Sequence, residues 1–238
     1  MWILGFLSSS LGILIGGIIA WFFKGLQQKV EIIYGLCAGI ILGLISFEIL
    51  PESIELGGVL KTFVGFVMGI VLFKVLHDRL HNYQWIKGIS KKKAYIHTSI
   101  LLMLSFSIHN VPIGIILATS QESDVKVALL QTLLFHSIPE GILLFTPLIL
   151  AGIGLSTGLF ISFIISIPVL LGILIGGYLQ FDYQSINSTI ISVTLGMIFM
   201  VTVSEMLYPA LSKSSVFKVL FCVLIGLVLI AIYLTSVT

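Results

Sequence analysis

Two histidines 27 residues apart open the same six-residue pattern. His109-Asn110-Val111-Pro112-Ile113-Gly114 and His136-Ser137-Ile138-Pro139-Glu140-Gly141 both read His-x-x-Pro-x-Gly, each near the middle of an apolar run. Proline has no amide hydrogen, and its ring crowds the carbonyl four residues back. Pro112 is therefore expected to free the carbonyl of Ile108, and Pro139 that of Phe135, kinking each helix beside a histidine. His136 and Glu140, spaced i, i+4, share a helical face, and His109 can meet them from the neighbouring helix. Gly114 and Gly141 remove side-chain bulk and let the two helices approach closely. Imidazole with carboxylate suits zinc and other first-row divalent ions, whereas calcium and magnesium take oxygen shells. The expected metal ligands are His109, His136 and Glu140, with Asn110 as a neutral amide beside them. A single histidine in such a run often does no more than hydrogen-bond a neighbouring helix. Two histidines and a glutamate together need a stronger reason, because ionisable groups in apolar surroundings cost a few kcal/mol or more.

Other ionisable groups sit towards the ends of the apolar runs. Glu48, in Ser46-Phe47-Glu48-Ile49-Leu50-Pro51, and Glu205, in Ser204-Glu205-Met206-Leu207-Tyr208-Pro209, each lie shortly before a proline at a helix end. Their opposite depths match inverted halves, a common transporter plan, and both are expected as gate or relay carboxylates. The alternative is a pair of interfacial glutamates reaching headgroup water. Glu52 and Glu55 read as solvated residues at a mouth. His77, Asp78 and His81 form an HDxxH cluster that would either capture metal on the cytoplasmic side or mark a wetted helix end.

The elements that must position these groups are long apolar helices. Of the 238 residues, 58% are hydrophobic and 9% charged, with mean hydropathy +1.19. A soluble domain carries about 25% charged residues, so this chain needs lipid on its outside. Eight segments of spanning length run at about 2–23, 32–51, 59–76, 97–118, 126–149, 153–178, 188–209 and 216–236. Their length and the lack of period-2 alternation favour helices over a barrel. The expected fold class is all-α, eight transmembrane helices in one domain spanning 1–238. With the N-terminus outside, ten lysines and arginines face inward, among them Lys91, Lys92 and Lys93, against Lys61 and Lys126 on the other side. That bias puts both termini outside and a 77–96 loop in the cytoplasm. The N-terminus lacks the basic leader of a cleavable signal and reads as the first span. A net charge of +2 argues against nucleic acid. Protease, nucleotide-binding and hydrolase motifs are absent, so neither an enzyme nor an ATP-driven pump is expected.

His109-Asn110-Val111-Pro112, His136-Ser137-Ile138-Pro139-Glu140-Gly141, the Glu48-to-Pro51 segment and the eight-span plan together resemble the ZIP family of divalent-metal transporters. The resemblance implies a 3+2+3 inverted-repeat bundle, with spans one to three and six to eight surrounding spans four and five. It implies import of zinc, with iron or manganese as alternatives, through a site of motif histidines and glutamates. The metal would be cargo, and no cofactor is expected. Expected partners are divalent metal ions and a lipid bilayer, in the cell membrane, with a homodimer left open. The chain departs from the family pattern at Ile113, where an acidic residue is frequent, at Ser137, and at Ile167 before Pro168. Those departures motivate a second reading, a non-transporting membrane metal sensor or scaffold that kept the fold.

Overall fold

Apolar runs that cannot leave backbone amides unpaired in lipid have one open-ended solution, the helix. A computed structural model describes residues 2–22, 30–81, 91–119, 123–179 and 183–237, and among them there is no strand. The helices are α1 (Trp2–Phe22), α2 (Val30–Leu44), α3 (Leu50–His81), α4 (Lys91–Thr119), α5 (Ser123–Leu150), α6 (Leu155–Leu179), α7 (Tyr183–Val201), α8 (Tyr208–Lys213) and α9 (Val216–Val237). Two wider π-helical stretches, Ile45–Ile49 and Thr202–Leu207, join α2 to α3 and α7 to α8. The chain is a multi-pass, all-helical membrane protein.

Seven described runs are long and apolar enough to cross a bilayer. One of them, Glu31–Arg79, has 49 residues. As a straight helix it would be about two and a half times the hydrocarbon thickness. It is not straight. Gly58 has φ 74° and ψ 162°, backbone that an L side chain adopts only under strain. The hydroxyl of Thr62 donates to the carbonyl of Ser53 at 2.9 Å. Nine residues of straight helix would hold those groups more than 10 Å apart, so the chain folds back at Gly58. The two arms are compatible with the second and third expected spans, and with eight in all. Of the expected 77–96 loop, residues 82–90 lie outside the described residues. Its two ends, however, are helical and lengthen α3 and α4.

The helices pack in two groups. Helix α1 lies against α5 and α6, and α4 against α6 and α5; α2 pairs with α9, and α3 with α7. Contacts of α4 with α7 and of α2 with α5 join the groups. Glycines sit where paired helices cross. A methyl added at Gly16 would lie 2.9 Å from the Cα of Gly141, and one at Gly114 would lie 3.0 Å from the Cα of Gly172. Only glycine permits such approaches, and dispersion between backbones supplies the attraction that lipid-facing apolar surface cannot. Gly39 meets Gly226, and Gly69 meets Gly196, in the same manner. Gly39 and Gly196, Glu48 and Glu205, and Gly69 and Gly226 are each 157 positions apart. Such a correspondence, with α4 and α5 exchanging roles, is compatible with inverted halves.

Candidate metal site

The repeated motif lands on α4 and α5 at their contact. The Nε2 of His109 lies 2.6 Å from Glu140 Oε1, and the Nε2 of His136 lies 2.9 Å from the same oxygen. The two Nε2 atoms are 3.3 Å apart. All three side chains are buried, with exposures of 1%, 3% and 1% in chain order. Their donor atoms form the group of three or more His, Cys, Asp or Glu side chains able to hold a metal ion among the described residues. The i, i+4 spacing puts His136 and Glu140 on one face of α5, and the close α4–α5 packing brings His109 to them.

The tautomer of His109 follows from its other contact. Its Nδ1 faces the carbonyl of Ser105 at 3.1 Å. A carbonyl can only accept, so Nδ1 carries hydrogen and, in the neutral ring, Nε2 offers its lone pair to the shared centre. The ring is further held edge-on by Phe106, with centroids 5.9 Å apart. A tetrahedral divalent ion with ligands near 2.1 Å spaces its donor atoms about 3.4 Å apart. The separations of 2.6, 2.9 and 3.3 Å need only a slight spreading to reach that shell. Two imidazoles and one carboxylate leave a fourth position for water, substrate anion or a mobile ligand.

The remaining expected residues separate into two places. Glu48 is half-buried and accepts a hydrogen bond from the Thr132 hydroxyl of α5. With Glu52, Thr194 and Ile113 it lines a cavity of about 430 Å³ whose wall includes His136. Glu205, on the far π-helical stretch, lies 3.2 Å from the Nδ1 of His77, whose ring stacks on Phe73. Asp78 is exposed, and the side chain of His81 lies outside the described residues. Asn110, next to His109 on α4, is fully buried, with neither amide atom hydrogen-bonded.

Pro112 and Pro139 sit within helices α4 and α5. A widened backbone lies at the two glutamates. The amide of Leu50 bonds the carbonyl of Ile45, and that of Tyr208 bonds the carbonyl of Val203, each five residues back. The widened turns fall just before Pro51 and Pro209, whose rings would clash with the carbonyls four residues back in a regular helix. Two sequence expectations are corrected. Gly114 and Gly141, expected to let α4 and α5 approach each other, face α6 and α1 instead. The other correction concerns Ile167. It is 42% exposed on α6, so it faces away from the interior, and its neighbour Ser166 is buried there instead. Ser166, and Ser9 opposite it, were not singled out in the sequence; the small-residue periodicity of α6 is the signal that marks that face.

Compared with protein-family models, residues 76–234 match the one described as ZIP Zinc transporter. No curated protein matches the chain.

Proposed function

The chain belongs to the ZIP zinc transporter family, and on that premise we propose that this divalent-metal transporter carries zinc into the cytoplasm through the His109–His136–Glu140 site. The convergence of two imidazole nitrogens and one carboxylate oxygen within 3.3 Å of one another, out of reach of solvent, carries the reading. An uncharged role would not require a carboxylate between two histidines in an apolar bundle. His109 and His136 bind as neutral imidazoles, and Glu140 supplies the negative charge and must be ionised when metal is bound.

The pathway follows from what flanks the site. The cavity between Glu48 and His136 is the outer approach, with Glu48 and Glu52 drawing cations towards His136. Glu205 and His77 form the inner release point. The group α1, α4, α5 and α6 carries the metal and rocks against α2, α3, α7 and α9 without ATP. Residues 1–238 act as one transmembrane domain, with both termini outside and the segment between α3 and α4 cytoplasmic, in the cell membrane. Purified protein in liposomes should accumulate labelled zinc, and His136→Ala or Glu140→Ala should abolish it; equal uptake by either variant refutes the site. The single carboxylate at the centre favours one second reading, a metal sensor that binds without flux. Retained zinc binding with no accumulation in liposomes selects it.

A further inference from the structure

The fold-back of α3 at Gly58 is tied by three buried hydroxyls. Thr62, on the second arm, donates to the carbonyl of Ser53 on the first at 2.9 Å. The Ser192 hydroxyl of α7 donates to the carbonyl of Ser188 at 2.6 Å, so its oxygen is left to accept. Ser53 Oγ lies 2.8 Å from that oxygen and therefore donates to it. Each hydroxyl hydrogen then has an acceptor, and the three side chains join residues 50–57, the second arm of α3 and α7. All three are buried. A set so fully paired is a structural tie and not a ligand site. The tie stands directly behind the cavity wall. Ser53 follows Glu52 and Ser192 follows Ile191, and both Glu52 and Ile191 line the cavity. Glu48 lies one turn before Glu52, and Thr194 two residues past Ser192, on the same wall. The spacing between the two carboxylates and α7 is thus set across the Ser53–Ser192 bond.

The rest of the chain shows what this packing is like without hydroxyls. The offset of 157 positions that relates Glu48 to Glu205 also relates Gly58 to Ser215, at the break between α8 and α9. It relates Ser53 to Ala210, Thr62 to Val219, Ser192 to Gly35 and Gly65 to Cys222. The contacts agree. A methyl added at Gly65 would lie 2.3 Å from Ser192 Cβ, and one added at Gly35 would lie 2.9 Å from Cys222 Cβ. Ala210 and Val219 are buried, as Ser53 and Thr62 are. No hydroxyl stands at Gly35, Ala210 or Val219, yet α2 pairs with α9 as α3 pairs with α7. Apolar side chains are therefore enough for this packing, and the three hydroxyls are particular to the side that carries Glu48 and Glu52.

We propose that Ser53, Thr62 and Ser192 are positioning residues for metal capture. They hold Glu48 and Glu52 at a fixed separation from α7, so that both carboxylates attract a cation entering the cavity. None of the three touches the metal; each acts through the carboxylates. Glu205, at the place that corresponds to Glu48, is held by His77 instead. This inference rests on the transport reading above.

The test is the triple variant Ser53→Ala, Thr62→Val, Ser192→Ala, assayed for zinc uptake in liposomes. Replacing every partner of a hydrogen-bonded set by apolar groups of the same shape is nearly neutral for stability, so the variant should fold. Its KM for zinc should rise about three- to tenfold, as weakened steering by the carboxylates implies, with the maximal rate within about twofold. The same three changes in a Glu48→Gln, Glu52→Gln background should alter KM by less than about twofold, because the tie then has no charge to place. An unchanged KM in the first background, or an equal rise in the second, overturns the proposal. If the triple variant does not fold, Thr62→Val decides against Thr62→Ser, which keeps the hydroxyl: only the valine variant should raise KM, and equal values in the two overturn the proposal. If the unaltered protein moves no zinc, the transport reading fails on its own. The association rate of zinc with detergent-solubilised protein then decides the positioning role. It should fall about three- to tenfold in the triple variant, and an unchanged rate refutes it.

Discussion

Helices α4 and α5 carry the same motif and the same packing, yet they contribute unequally to the centre between them. Each places a histidine at the shared point, and each crosses a partner helix at a glycine, Gly114 on Gly172 and Gly141 on Gly16. Only α5 adds a carboxylate. Where Glu140 lies between both imidazoles, its counterpart Ile113 lines the cavity beside Glu48. The repeated motif therefore has the same scaffold in both helices, which depends on small residues and dispersion, while its charged chemistry is one-sided.

The sharpest way to break this comparison is to treat the two positions alike. Glu140→Gln should lower zinc affinity at least about 100-fold, since losing even an outer partner of a metal ligand costs 10–100-fold. Ile113→Ala should stay within about threefold, because it removes only apolar contact beside the cavity. Isothermal titration of zinc into purified protein measures both. Similar losses at the two positions would mean that α4 contributes chemistry the trio does not explain.

The two histidines come next. His109→Ala and His136→Ala should each weaken zinc binding about 10- to 100-fold, as loss of one of three ligands from a preorganised site implies. Equality between them is the informative outcome, because the imidazoles are equivalent in the motif. They differ in orientation, since His109 is held by the Ser105 carbonyl and His136 Nδ1 has no partner. A larger loss at His109 would show that this orientation matters as much as ligand count.

Packing offers the converse comparison, in which the helices should behave alike. Gly114→Leu and Gly141→Leu each drive a side chain into a facing backbone, near Gly172 in one case and Ile13 in the other. Overpacking costs about 1–3 kcal/mol or more, and both variants should lose several degrees of thermal stability in detergent, by similar amounts. A large difference would show that the crossings are not equivalent and weaken the correspondence between the halves.

Much of this arrangement is legible in residue order because it depends on local periodicity. Run length marks the helices, and the i, i+4 pair of His136 and Glu140 lies on one face wherever α5 goes. The meeting of His109 with them is not carried by the motif glycines, because Gly114 and Gly141 face α6 and α1 and not each other's helices. Prolines are less informative. Pro112 and Pro139 stay within helices, while backbone widening occurs at Glu48 and Glu205, ahead of Pro51 and Pro209. Residue type alone does not say which proline a bundle accommodates by a wider turn. The pairing of His77 with Glu205 is a tertiary event between residues far apart in sequence, and each had been assigned a role without the other. The inward face of α6 is set by packing against α1, which places Ser166 inside and Ile167 outside.

The smallest expected effect lies on α5, one turn before the site. The Thr132 hydroxyl donates to Glu48, fixing a carboxylate that belongs to the cavity wall and not to the metal centre. Thr132→Val keeps the shape and removes the donor. A hydrogen bond to a charged acceptor contributes about 1.5–3 kcal/mol when fully buried and less at a half-exposed group. Because Glu48 is half-buried, zinc uptake at low concentration should fall about three- to tenfold, while equilibrium affinity at the trio stays unchanged within about twofold. The split between rate and affinity is the diagnostic result. A loss of affinity would tie Thr132 and Glu48 to the metal itself, and the one-sidedness of the centre would then extend a full turn along α5 towards the cavity beside Glu48.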